Sequence, residues 1–525
     1  MKMQHRTEKT LRAVWLGLLA VLLGGTALRL AFLLVSHPHV DEYSTMWAAL
    51  NILQKGVPVL PSGFVYPQGL LFSYADAAAI AVLGFSEWAA RLPSLLCSVA
   101  TIALVFVWGR RAFGPWAGLL AATLTALEPT SIIWGGRARM YSLQQALTVL
   151  ALYACYRGYI EARDDRDSTR WYGLFAVSLI GAMLSQTVTI LVVPGLIAAL
   201  CVWRRQWLNR PAARWALLAV ALSIPLAFLL NQAGGPVSDT VGRTFVDPSL
   251  PWRTKPEFFF REFFWAWPAL IRTVLFIAGF VLLVLHVRQQ RQPADGTTAL
   301  FYVYLVVSAT LLCMVFLVGE SWQRPRYLTM IQPAVDLLTA GVLWLLWHQS
   351  GRWWGATGRT TLAVLVWLGA LVIFLPPAIR TIGPSEPAYD LAFRFVRERW
   401  QAGDAIIGPL PSIAGTYLGQ CDGYVLQNGY EEYLMWRDSH PIDRWTGASL
   451  IDSSSALEQQ FLAGQRVWFV VDDIRWEQRY TPEFRDYVTQ TMPVAYQTTG
   501  IAVYMRPGST AEQNGNPADI LPGEN

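Results

Sequence analysis

The 525-residue chain is poor in charge and in cysteine. Only 15% of its residues are Asp, Glu, Lys or Arg, against 54% hydrophobic. That balance excludes a single ordinary soluble domain and points to a polytopic membrane protein with a wet appendage. Of the five cysteines, Cys97, Cys155, Cys201 and Cys313 lie in apolar stretches and Cys421 alone lies in a polar one. An internal disulfide in the polar tail is therefore excluded. A glycine-rich phosphate loop, a zinc-ligand quartet and a nucleophile elbow are absent, as are an internal repeat and any Asn-x-Ser/Thr sequon. The net charge of +5 comes from basic residues that follow the ends of apolar runs, so nucleic-acid binding has no support.

What the chain does have is apolar runs of membrane-crossing length. The N-terminal MKMQHRTEKTLR is basic, precedes about 22 apolar residues and has no small-residue cleavage site, as expected of an uncleaved signal anchor. About eleven spans are expected, at 14–35, 91–109, 115–135, 141–158, 171–188, 189–203, 214–230, 268–287, 300–318, 327–347 and 360–377. The stretch 66–85 is nearly as long but carries Pro67, Gln68, Tyr74 and Asp76, and is read as an interfacial or re-entrant helix. With 66–85 not crossing, most basic loops fall on the side of the basic N-terminus. Residues 1–13 are then cytoplasmic, and 14–377 form the α-helical domain in the cell membrane, with a first outer loop at 36–90. The chain from residue 378 onward is extracytoplasmic. Within that tail, 390–400 has helical spacing, and 405–410, 466–473 and 500–507 read as strands, giving a small α/β domain over 378–507. Residues 508–525 have little to bury and read as disordered.

Chemistry concentrates where the first apolar run ends, in SHPHVDEY (Ser36–Tyr43). Asp41 and Glu42 stand at the mouth of a span, where charge costs several kcal/mol if it enters hydrocarbon. The plain alternative is a loop turn or an interfacial cap. Arg137 and Arg139 in GGRARMY, and Arg324 and Arg326 in SWQRPRYL, fall on the same expected face. A positioned carboxylate can take the proton of an attacking hydroxyl, and arginine forks match the oxygens of a departing phosphate. Each arginine could equally snorkel to lipid headgroups. His37 and His39 beside two carboxylates raise a divalent metal ion as a possible charge-neutralising cofactor, although the spacing matches no ligand motif and solvated histidines are the commoner case. Asp76 reads as lining a polar groove or facing water, with a satisfied polar residue on an amphipathic helix the commoner case. The aromatic run 257–267, EFFFREFFWAW, suits an interfacial belt or a wall for a polyisoprenoid tail.

The order of these pieces resembles the GT-C class of integral membrane glycosyltransferases, and within it family 39, the dolichyl-phosphate-mannose protein mannosyltransferases with the bacterial aminoarabinose transferases. The resemblance runs over about residues 14–345 through DEY, AALNILQKG (Ala48–Gly56), EWAARLPSLL (Glu87–Leu96), GRRAFG (Gly109–Gly114), RARMYSL (Arg137–Leu143) and PRYL (Pro325–Leu328). It implies inverting transfer of a sugar from a polyprenyl-phosphate donor to a protein, lipid or glycan acceptor on the extracytoplasmic side. Asp41 would be the catalytic base and Glu42 would assist acceptor or ion placement. Arg91 would support the donor site or the first loop, and Arg139, Tyr141, Arg326 and Tyr327 would meet the donor phosphate. The chain departs from its relatives where aminoarabinose transferases often show Lys-Pro-Pro, having Tyr66, Pro67 and Gln68. It also lacks the lumenal insertion of the eukaryotic enzymes. Two rival functions stay open on residues alone: a transporter or flippase of an anionic lipid-linked substrate, and a non-catalytic envelope protein. A transporter would carry ionisable residues deep within several spans, whereas here charge is expected to gather at one mouth.

Overall fold

The computed structural model describes residues 2–161, 165–203, 207–232, 268–289, 295–318, 324–350, 356–429, 431–461 and 464–508. The aromatic run 257–267 and residues 509–525 lie outside them. Two compact units result, and neither is continuous in the chain. One comprises Met1–Leu34, Gln68–Phe72 and Arg91–Gly383; the other comprises Val35–Pro67, Ser73–Ala90 and the residues from Pro384 onward.

The first unit is helical. All the expected apolar segments contain helix, and among the described residues four helices are long and apolar enough to cross a bilayer: Arg12–Val35, Glu87–Phe113, Gly296–Leu317 and Thr361–Arg380. Others, such as Ala269–Leu285 and Gln332–Trp347, are apolar but shorter. Where two spans were expected at 171–188 and 189–203, the chain forms a helix Asp165–Ser185, then a 3-10 turn Thr187–Val192 that leads into helix Val193–Val202. Close packing depends on small residues: a Cβ at Gly118 would lie 2.5 Å from the Arg110 amide nitrogen, so helices Glu87–Phe113 and Pro115–Ala126 meet backbone to backbone.

The expected single span at 115–135 is instead two helices, Pro115–Ala126 and Pro129–Gly135, bent by 63°. Pro129 explains the break, because the residue before a proline is driven out of helical geometry; Glu128 has φ −68° and ψ 117°. A break inside hydrocarbon strands carbonyls that water cannot reach. Arg29 supplies the donors: its Nη1 bonds the Ala126 carbonyl at 2.9 Å and its Nη2 the Thr125 carbonyl at 3.2 Å, while Nε donates to Ser98 Oγ at 2.6 Å.

The second unit is built on an eight-stranded sheet. Its strands are β1 (Ala405–Gly408), β2 (Gly423–Val425), β3 (Leu434–Arg437), β4 (His440–Asp443), β5 (Ser449–Ile451), β6 (Val467–Asp472), β7 (Val494–Thr498) and β8 (Ile501–Arg506), in the order β3-β4-β5-β2-β1-β6-β8-β7. The central pairs β1–β2, β1–β6 and β2–β5 are parallel and the outer pairs antiparallel. β6 is buried along its whole length, as expected of a strand covered on both faces. The strands expected at 405–410, 466–473 and 500–507 are β1, β6 and β8, and the expected helix is Tyr389–Arg399. Short helices Val40–Lys55 and Leu70–Leu83 account for most of the regular structure in the segment 36–90.

Candidate active site

Asp41 and Glu42 open the helix Val40–Lys55. His39 is its N-cap: the ring Nδ1 accepts from the Asp41 amide at 3.1 Å, while the Glu42 carboxylate accepts from the His39 amide at 2.8 Å. This reciprocal capping box turns the Glu42 side chain back on the backbone, and the residue is 0% exposed. Asp41 has a side chain that is 36% exposed, with its Oδ2 3.8 Å from the ring Nδ1 of the capping His39. Both sit in the first helical turn, where the backbone dipole favours negative charge.

The histidines beside them have other partners. His37 Nδ1 lies 2.8 Å from Asp390 Oδ1, and His39 is the helix cap. Among the described residues no group of three or more His, Cys, Asp or Glu side chains is placed to hold a metal ion. The donor set around His37 and His39 therefore does not fit a divalent cation. Asp76 corrects its sequence reading: it is neither exposed to water nor satisfied, but 0% exposed with neither carboxyl oxygen hydrogen-bonded among the described residues. Glu42 is its charged neighbour.

In the helical unit the second and late loops come together as their motifs suggest. Tyr141 starts the helix Tyr141–Cys155, and its ring lies 4.4 Å from Trp134 and 6.1 Å from Tyr327. Gln145 Nε2 donates to the Thr329 carbonyl at 2.7 Å, tying that helix to the turn after Arg326. Arg326 covers the Tyr327 ring at 5.2 Å, and its backbone carbonyl accepts from Thr329 Oγ1 at 2.7 Å. Arg137 lies over Trp134 at 5.1 Å, and the Arg139 carbonyl accepts from Ser94 Oγ at 3.0 Å; both arginines are buried. Arg91 is buried too, and donates to the Leu33 carbonyl at 2.8 Å, fixing the end of the first span. Arg324 stands apart as an exposed residue before the short helix Pro325–Leu328.

Sequence reasoning missed the charged cluster beside this loop. Arg272 bonds Glu128 and lies 3.1 Å from Asp336, which also accepts from Thr125 Oγ1 at 3.0 Å. A cavity of about 120 Å³ opens here, lined by Glu128, Thr130, Arg272, Pro325, Thr329 and Gln332 among others. The expectation that charge gathers at one mouth is corrected: Arg29, Glu128, Arg272 and Asp336 all fall within expected spans and are buried. Their signal was four ionisable residues in apolar runs, each of which flags an intramembrane polar site.

Residues 67–230 match the family model described as dolichyl-phosphate-mannose-protein mannosyltransferase. No curated protein sequence matches the chain. Among solved structures, ArnT from Cupriavidus metallidurans bound to undecaprenyl phosphate is similar over 94% of this chain and 98% of its own, at 13% identity and a TM-score of 0.65. The same protein in the apo state gives 0.63 at 13% identity, over 98% of this chain and 100% of that one. The oligosaccharyltransferase AglB from Archaeoglobus fulgidus, in complex with an inhibitory peptide and a dolichol-phosphate, gives 0.52 at 13% identity over 88% of this chain and 70% of its own. The chain thus has the GT-C glycosyltransferase fold, and its residues 67–230 carry the pattern of the dolichyl-phosphate-mannose-protein mannosyltransferases.

Proposed function

We propose that the protein is an inverting membrane glycosyltransferase that moves a sugar from a polyprenyl-phosphate donor to an acceptor hydroxyl on the extracytoplasmic side. The observation that carries the reading is the open carboxylate of Asp41 beside the enclosed carboxylate of Glu42. The acceptor oxygen attacks the anomeric carbon as the bond from that carbon to the phosphate oxygen breaks. Asp41 takes the hydroxyl proton, and the electron pair leaves with the polyprenyl phosphate. Arg137, Arg139 and Arg326, with the hydroxyls of Tyr141 and Tyr327, meet the charge that develops on the leaving phosphate. Arg91 holds the end of the first span through Leu33, and Arg324 receives the donor at the surface. The lipids bound in the similar ArnT and AglB structures, undecaprenyl phosphate and dolichol-phosphate, support a lipid-phosphate carrier.

One observation favours a transporter of an anionic lipid-linked substrate instead, namely the buried cluster of Glu128, Arg272 and Asp336. Purified protein in nanodiscs, given a panel of radiolabelled polyprenyl-phosphate sugars with protein, lipid and water acceptors, separates the two. Transfer is expected from the native protein and its loss, by about 10²–10⁴-fold, from Asp41→Asn. Donors that bind but stay intact, together with movement of labelled lipid across proteoliposomes, would support the transporter.

A further inference from the structure

The helix that carries Asp41 is embedded in the sheet domain formed more than 340 residues later, as the 353-residue separation of the His37–Asp390 pair illustrates. Contacts at three places along the chain hold it. Just before the helix, His37 meets Asp390 at 2.8 Å and Ser36 Oγ approaches Ser385 Oγ at 3.4 Å. One residue past Glu42, the Tyr43 carbonyl accepts from Thr416 Oγ1 at 3.2 Å, and the Tyr43 ring lies 5.8 Å from Tyr417. One turn further on, Gly415 lies against Trp47 so closely that a Cβ there would stand 2.8 Å from indole Cε2.

The tail helix Pro411–Leu418, which supplies Gly415, Thr416 and Tyr417 to these contacts, is itself fixed. Tyr417 stacks on Phe393 at 5.8 Å and donates to Glu87 at 2.8 Å, and Arg394 donates to the same Glu87 at 2.9 Å. Tyr43, Trp47, Ala48 and Ala49 are all buried. Asp41 stands on the first turn of this helix with its side chain 36% exposed and its Oδ2 3.8 Å from His39 Nδ1, so a shift of the helix carries the carboxylate with it. A catalytic group displaced by ~1 Å loses about 10²-fold in rate.

We propose that the C-terminal sheet domain is the positioning element of the catalytic carboxylate, with Gly415 and Asp390 as positioning residues that act through Trp47 and His37. This rests on Asp41 being the base. A methyl group at position 415 pushes on an indole that is closed in, which shifts the helix along its length. Asp390→Asn keeps the size of the side chain and removes the charge that His37 meets.

The test uses the full-length protein in nanodiscs, with kcat and the KM for a polyprenyl-phosphate sugar measured for Gly415→Ala and Asp390→Asn. Alanine in a helix interior is about 1 kcal/mol better than glycine, so Gly415→Ala does not weaken its own helix. The expected result is a fall in kcat of about tenfold or more with donor KM within about twofold of native. Trp47→Leu, which makes room, is expected to restore part of kcat in the Gly415→Ala background. Native kcat in both single variants overturns the proposal. So does a parallel loss of kcat, donor binding and thermal stability that Trp47→Leu does not relieve, since that pattern marks a merely structural contact. An active Asp41→Asn sinks the base reading separately, because that variant leaves Gly415 and Asp390 untouched.

Discussion

Asp41 and Glu42 are adjacent in one helical turn, yet one side chain is 36% exposed and the other residue fully enclosed. The capping box produces the difference, because Glu42 bends back to the His39 amide while the Asp41 carboxylate stays partly exposed beside the His39 ring. Two neighbouring carboxylates are thereby given different work. One builds the helix start and the other keeps a partly exposed side chain.

Glu42→Gln is expected to keep much of the cap, since glutamine also serves at the third helical position, while Glu42→Ala loses it at a cost of about 0.5–2 kcal/mol. Thermal unfolding in detergent should rank native and Glu42→Gln above Glu42→Ala. Asp41→Asn should unfold like the native protein while failing in transfer. The same ranking for Asp41→Ala and Glu42→Ala in stability would remove the distinction drawn between the two.

Arg272 stands between Glu128 and Asp336 in a region where neither acid can be hydrated freely. Arg272→Met leaves both carboxylates without their shared cation, and breaking a buried pair in this way costs about 3–5 kcal/mol. A drop in unfolding temperature is the expected outcome. Replacing all three with apolar residues of similar size should recover most of the loss, and a stable single variant would show that the cluster is not holding the helices together.

The helices and the tail domain were legible because apolar runs and alternating strands are local signals. Tyr141 and Tyr327 were also legible as partners, through the loops that carry them. The bend at Glu128 was written in the chain as Glu-Pro but was masked by the apolar residues on both sides. Arg272 escaped because a single charge in an apolar run shows no partner, and Glu128 lies 144 residues away. The union of the first outer segment with the tail was not legible for the same reason, since Tyr417 and Glu87 are 330 residues apart. Polar pairs at such separations leave no periodic trace.

Acid should loosen the sheet domain first along β1 and β6. Burial pushes the Asp404 carboxyl up, but hydrogen bonds from Arg466, Trp468 and the Gln401 amide outweigh it and hold the group below the usual aspartate range. A carboxylate with a lowered folded-state value stabilises fully above its unfolded value near ~3.9, and that contribution is lost as pH falls through the folded value. Hydrogen exchange of β1 and β6 in the full-length protein is therefore expected to be unchanged from pH 7 to about pH 5 and to rise at more acidic pH. Asp404→Asn should exchange faster at neutral pH and depend less on acid. An identical acid response in that variant would assign the loosening to other groups.

Arg29 gives the first helix a history that its own sequence does not contain. As that helix enters the bilayer its guanidinium raises the cost of insertion, and Arg29→Leu would ease this step. The carbonyls it bonds, at Thr125 and Ala126, lie 96 and 97 residues further along the chain. A substitution that makes the first span a better solo insertion would take from two buried carbonyls of the later broken helix the donors that Arg29 gives them. The identity of residue 29 thus answers to a part of the protein not yet synthesised when that residue meets the membrane.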